Sequence, residues 1–169
     1  MLALVALASL ILEAQIPVGS ERLLNAAKEP QNWMIYGGDY FSNRHSALTQ
    51  ITPANVKDLK LAWAYQSPTT GSWQATPLVV DGIMYLTQRP NDVVALDAAT
   101  GRAFWMYRYN NANQIGVCCG ANNRGLAILG DTVFMGTLDA HLVAIDTKSG
   151  MPVWNTRVAD STLASTRSR

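Results

Sequence analysis

Cys118 and Cys119, the two cysteines of the chain, are neighbours, and adjacency limits the chemistry open to them. Either they close a disulfide through a small ring that forces the peptide between them away from its relaxed planar trans form, which makes the bond strained and reducible, or they are two small buried thiols in an interior strand. Metal binding is disfavoured, because adjacent cysteines and two distant histidines, His45 and His141, form no recognised ligand spacing. An arginine, Arg124, follows five residues after Cys119. Asp97 and Asp146 are tempting as general bases. Each, however, occupies the same place in a repeated turn, which marks it as a turn former. His141 falls in a strand-like stretch and His45 ahead of the repeats, and both read as packing or surface residues. No catalytic residue is assigned.

The elements that must position these groups come from an internal repeat. Residues 94–105 (VALDAATGRAFW) and 143–154 (VAIDTKSGMPVW) align at a constant offset of 49, so that Asp97 matches Asp146, Gly101 matches Gly150 and Trp105 matches Trp154. Upstream, 80–86 and 129–135 keep the same register, so each unit holds more than one hairpin. In each unit an alternating apolar strand ends at Asp, and Asp-x-x-(Thr/Ser)-Gly makes a tight turn with Gly free to take positive φ. The next strand then brings a Trp back against the sheet, where its ring can wedge between neighbouring sheets. A period of this length built from short strands is the mark of propeller blades. The fold class expected is all-β, a partial β-propeller with about two blades.

Composition agrees. The chain has 169 residues, 49% hydrophobic and 15% charged, with five Trp and twelve Gly, which suits many short strands joined by tight turns. Its formal charge is +1, with no basic run to neutralise a row of phosphates, so nucleic acid is not an expected partner. Residues 1–14 read as a signal peptide, too short to span a bilayer; the missing basic n-region leaves a start further upstream or a buried helix as the other readings. Export places the protein in the periplasm or outside the cell. Residues 15–58 form a lead-in, with a short helix from 20 to 27 capped by Ser20, a Gly-Gly-Asp turn at 37–39, and one helical turn after Thr52-Pro53. Residues 59–160 form the blades, opening on a strand at 59–65 around Trp63, and 161–169 read as an unrelated polar tail.

Ala95-x-Asp97-x-x-Thr100-Gly101-x-x-x-Trp105 resembles the tryptophan-docking motif of the eight-bladed PQQ-dependent alcohol dehydrogenases. The resemblance extends over about residues 20 to 160 through 32–40 (NWMIYGGDY), 50–56 (QITPANV), 73–82 (WQATPLVVDG) and 118–125 (CCGANNRG). It implies that Cys118 and Cys119 form a vicinal disulfide lying against one face of pyrroloquinoline quinone (PQQ), a bond that persists in oxidising compartments. It further implies that Arg124 hydrogen-bonds the quinone oxygens and stabilises the charge they gain on reduction. Many relatives carry Glu where this chain has Gln74, an amide still able to donate and accept, and Gln74 is expected to contact the cofactor.

The same resemblance places the ligands of a calcium or lanthanide ion, and the aspartate acting as general base, in later blades whose stretches do not occur in this sequence. The expected function is therefore the N-terminal part of a quinoprotein dehydrogenase that oxidises small alcohols and passes electrons to a periplasmic cytochrome c, inactive by itself. A non-catalytic propeller segment serving as a binding or assembly scaffold is the alternative. The adjacent cysteines argue against it, since a scaffold has no use for a strained ring.

Overall fold

A computed structural model describes residues 17–110 and 120–160. The residues expected to be a signal peptide, the cysteine pair and the polar tail lie outside them. Among the described residues, eight strands form two four-stranded antiparallel sheets in simple up-and-down order. The first holds β1 (Leu78–Val80), β2 (Ile83–Gln88), β3 (Asp92–Asp97) and β4 (Ala103–Tyr107); the second holds β5 (Ala127–Leu129), β6 (Thr132–Gly136), β7 (His141–Asp146) and β8 (Pro152–Arg157). The offset of 49 thus corresponds to one sheet, the blade of a partial propeller. Even the irregularities repeat: β3–β4 is bulged between Ala95 and Leu96, and β7–β8 between Ala144 and Ile145.

Strand alternation decides what lies between the sheets. Leu78, Val80, Tyr85, Val93 and Ala95 of the first blade face Ile128, Val133, Met135, Val143 and Ile145 of the second in one buried cluster, because alternate residues of a strand share a face. The opposite faces of β2 and β3 form a smaller cluster of Leu86, Val94 and Leu96, covered by Trp63 and Tyr65. Burying both faces of the first sheet explains why β3 is apolar at four consecutive positions rather than alternating.

The repeated turns are built alike. Oδ1 of Asp97 accepts from the Ala99 and Thr100 amides at 2.8 and 3.1 Å, and Oδ1 of Asp146 accepts from the Lys148 and Ser149 amides at 3.2 and 2.7 Å. Both carboxyls are held below the usual carboxylate range, Asp97 chiefly by the Ala99 amide and Asp146 chiefly by the Ser149 hydroxyl. A general base working near neutrality needs a pKa near the working pH. These two aspartates are turn formers.

Trp105 wedges between neighbouring sheets as expected, and Trp63 docks in the same way one unit earlier. Trp63 packs on Gly101 and donates from Nε1 to Ala98 O at 3.1 Å; Trp105 packs on Gly150 and donates to Thr147 O at 2.9 Å. Each ring therefore clasps the turn of the following unit. Gly101 and Gly150 sit at φ +72° and +70°, and a Cβ on either would fall 2.4 and 2.6 Å from the ring. Glycine is required twice over, by backbone conformation and by ring contact. Trp154 stacks on Phe134 as Trp105 stacks on Tyr85, with centroids 5.9 Å apart in both pairs, but it is 41% exposed. It has no turn against it among the described residues, so it does not wedge between sheets as expected.

The lead-in differs from its expected form in three places. The first helix, α1 (Ser20–Leu24), is capped at Gly19 rather than Ser20 and passes into a 3-10 turn at Ala26–Lys28. After Thr52-Pro53 the helical turn forms only at Val56–Asp58. Around Trp63 no strand forms, because no ladder partner lies beside that segment among the described residues. It instead runs as an extended strap whose odd-numbered side chains Trp63, Tyr65, Ser67 and Thr69 turn inward. Tyr65 Oη accepts from Gln88 Nε2 at 3.0 Å, and Ser67 Oγ donates to Gln88 Oε1 at 2.8 Å.

Further upstream the chain crosses both blades. Val18 pairs with Gly130 at the β5–β6 turn and Trp33 with Val79 on β1, which covers the otherwise open edge of β1. A clamp fixes this crossing: Arg22 meets Glu29 at 2.6 Å and Asp81 at 2.8 Å, while Asn32 Oδ1 accepts from the Asp81 amide at 2.9 Å. The Arg22 hydrogen bonds hold the Glu29 carboxyl below the ordinary range, with Asn32 assisting and burial opposing. A depressed native pKa contributes stability that is complete above the unfolded value of about 4.3 and is lost as pH falls through the lower native value. Glu29→Gln should therefore lower the urea midpoint at pH 7, with the gap to wild type closing as pH falls below about 4. An equal gap at pH 3 and pH 7 would show that the ionised pair does not hold the clamp.

Candidate functional site

Where the two blades converge, the chain segments leading into β1 and β5 run side by side. Thr76 and Gly125 form a parallel bridge, with the Thr76 amide donating to Arg124 O at 3.1 Å. Two of the residues singled out in the sequence meet at this point. Arg124 Nε donates to Gln74 Oε1 at 3.2 Å, although the two lie fifty residues apart, and both side chains are exposed. Cys118 and Cys119, just ahead of Gly120 in the chain, lie outside the described residues.

Further bonds stitch the same two segments together, and sequence reasoning had singled out none of the residues that make them. Asn122 Nδ2 donates to Ser72 Oγ at 3.3 Å. Arg89, at the end of β2, donates from Nε to Ala121 O at 3.1 Å and from Nη1 to Thr70 O at 3.5 Å. Its guanidinium lies over Gly71, where a Cβ would sit 1.7 Å from Nη1; only glycine leaves room for it. Behind Arg124, the buried side chains of Asn123, Asn91 and Thr87 join the two blades. The Asn123-x-Gly125 spacing, which suits a side-chain-to-backbone turn, was the one sign of this in the sequence.

The site can thus present a permanent cation beside an amide that both donates and accepts, on a backbone tied to both blades. Such a pair fits a flat ligand carrying carbonyl or carboxylate oxygens, because guanidinium is a planar, fork-shaped donor. Nothing among the described residues adds a metal centre: no group of three or more His, Cys, Asp or Glu is gathered there. His141 is engaged by Asn155, 2.7 Å from Nδ1, and stacks edge-on to Tyr109. His45 lines a cleft of about 430 Å³ in the lead-in, together with Pro30, Trp33, Asp39 and Asn43. No candidate cofactor residue lines that cleft. Among the described residues no helix is long and apolar enough to cross a membrane.

Known proteins share this architecture. The chain is 45% identical over 152 residues to the dehydrogenase subunit of an alcohol dehydrogenase (quinone) from Acetobacter aceti, covering 88% of this chain and 20% of that protein. Over 148 residues it is 44% identical to quinohemoprotein alcohol dehydrogenase ADH-IIG of Pseudomonas putida, covering 85% and 21%. The solved structure of ADHIIG from Pseudomonas putida HK5 superposes with a TM-score of 0.79 at 42% identity, covering 86% of this chain and 22% of that one. A europium-containing methanol dehydrogenase superposes with a TM-score of 0.76 at 34% identity, covering 83% and 25%. The chain spans about a fifth of the length of the relatives it matches. The docked tryptophans, the paired Gln74 and Arg124, and both bladed sheets up to the last two residues of β8 fall within residues 33–155, which match the PQQ glucose/ethanol/alcohol dehydrogenase β-propeller domain, and the chain belongs to that family.

Proposed function

We propose that this chain supplies the first blades of a quinoprotein alcohol dehydrogenase and one wall of its PQQ site. Arg124 and Gln74 bind the oxygens of the quinone, and Cys118 and Cys119, as a vicinal disulfide, lie against its ring. The observation that carries this reading is the bond between Arg124, five residues after the cysteine pair in the chain, and Gln74 across two adjacent blades. PQQ, when bound, supplies the redox chemistry by accepting two electrons from an alcohol. Arg124 holds a positive charge where the ligand's oxygens gain negative charge, and Gln74 Oε1 accepts from its Nε. A carboxylate at position 74 would offset that charge; the amide does not.

The remaining parts of the reading belong to the whole protein. Calcium or a lanthanide would be held by residues of other blades, electrons would leave to a cytochrome c, and the protein would work in the periplasm or outside the cell, where a vicinal disulfide survives. The chain by itself should bind PQQ without oxidising alcohols, since positioning and a general base together contribute several orders of magnitude in rate. Titration with PQQ and calcium, followed by quenching of tryptophan fluorescence, should saturate, and Arg124→Ala should weaken it about tenfold or more, the loss of a charge-assisted contact. Quenching that never saturates, or that is the same in the variant, would remove the proposed wall. Dye-linked alcohol oxidation above that of free PQQ would show that the chain is not inactive alone.

A further inference from the structure

We infer that Asn123, fastened by Asn91 and Thr87, is the positioning residue for Arg124, an inference that rests on the cofactor role proposed above. The Arg124 side chain is exposed, and its bond to Gln74 is made to another exposed side chain. Such a contact is too weak to fix a long guanidinium side chain, which loses about 2 kcal/mol of rotamer freedom when held. Its aim has to come from the backbone beneath it.

Asn123 supplies that backbone restraint. Its Oδ1 accepts from the Gly125 amide at 3.3 Å, closing a side-chain-to-backbone turn around Arg124. Its Nδ2 donates to Gly136 O at 2.8 Å, at the end of β6, and to Asn91 Oδ1 at 3.2 Å, in the turn between β2 and β3. Asn91 Oδ1 also accepts from the Leu138 amide at 3.0 Å. The Asn123 carbonyl accepts from Thr87 Oγ1 at 3.0 Å, and the Arg124 carbonyl accepts from Thr76. Asn123 is thus tied to both blades, and Gly125 to Asn123 and to the segment leading into β1.

Burial makes the arrangement demanding. Asn91 and Thr87 are 1% exposed and Asn123 is 8% exposed, so each lost partner leaves a desolvated polar group. Asn123 uses both amide hydrogens and its oxygen, which no other side chain of its size reproduces. Asp at this position would lose both donors and bury a charge. A polar network satisfied in this way rigidifies what it holds.

The inference is tested on the full 169-residue chain with PQQ as the probe, in a double-mutant cycle of Asn123→Ala and Arg124→Ala. Acting through Arg124, Asn123→Ala should weaken PQQ roughly tenfold in the wild-type background and less than about twofold once Arg124 is already alanine. Equal losses in both backgrounds would overturn the inference, because a purely structural role does not depend on Arg124. Thr87→Val, which removes only the hydroxyl, should act in the same direction if Asn123→Ala fails to fold, and Thr87→Ser should restore binding. A second readout needs no ligand: the 15N order parameter of the Arg124 Nε–H should fall in Asn123→Ala and Thr87→Val and recover in Thr87→Ser. An unchanged order parameter would overturn the positioning role whatever PQQ does. If no form binds PQQ, the cofactor reading fails, and the order parameter still decides the positioning.

Discussion

Trp105→Ala should destabilise the folded chain by about 3 to 5 kcal/mol, whereas Trp154→Ala should cost less than about 1 kcal/mol. The two positions are equivalent in the repeat, and each ring stacks on one aromatic of its own blade at 5.9 Å. What differs is the far side. Trp105 lies between Tyr85 and the turn at Gly150, where its Nε1 satisfies Thr147 O at 2.9 Å. Removing the ring opens a cavity between the blades and leaves that carbonyl without its donor, two losses that add. Trp154 is 41% exposed, so its truncation removes surface that water already reaches. Urea denaturation of both variants measures the contrast; equal losses would mean that docking onto the next turn contributes nothing to stability. On the sequence alone, the two substitutions are expected to cost the same.

The second large effect is on rate. In a ring built by joining this chain to the further blades of a quinohemoprotein relative, Arg124→Ala should lower kcat by about a hundred- to a thousandfold, the usual loss when one preorganised donor to a developing negative charge is removed. Arg124→Lys should recover part of this, because it keeps the cation but not the planar fork. Stability should change by no more than about 0.5 kcal/mol, since the side chain is exposed. Steady-state kinetics with a dye acceptor, alongside the denaturation midpoint, separates the two. A kcat within threefold of the unmodified ring would show that Arg124 does not face the reacting quinone. If Cys118 and Cys119 form the proposed vicinal disulfide, replacing both by alanine in the same ring should likewise slow catalysis more than it lowers stability, because so small a closed loop would restrict the unfolded chain very little.

Much of the architecture is a local matter and was legible in the chain. Asp97 with Gly101 and Asp146 with Gly150 make turns whose hydrogen bonds close within a few residues, so spacing alone reveals them. The offset of 49 between them sets the length of one sheet. The family resemblance pointed to Gln74 and Arg124 one at a time; their contact depends on two adjacent blades bringing residues fifty apart to 3.2 Å.

Other features were decided only by tertiary structure, and for one reason: their partners are distant in sequence. Trp63 reads as part of a strand at 59–65, yet a strand requires a ladder partner, and among the described residues this segment finds only side-chain contacts across Leu86, Gln88 and Ala98. Trp105 and Trp154 are indistinguishable as residues; the turn that receives one and not the other belongs to the next blade. Asn122 and Asn123 are adjacent and identical in type, but the meeting of the two blades buries the second and directs it to Asn91 and Gly136, thirty-two and thirteen residues away. Local turn chemistry and strand period are written in the sequence. Which identical side chain is buried, and what it holds in place, depends on how one blade packs on the next.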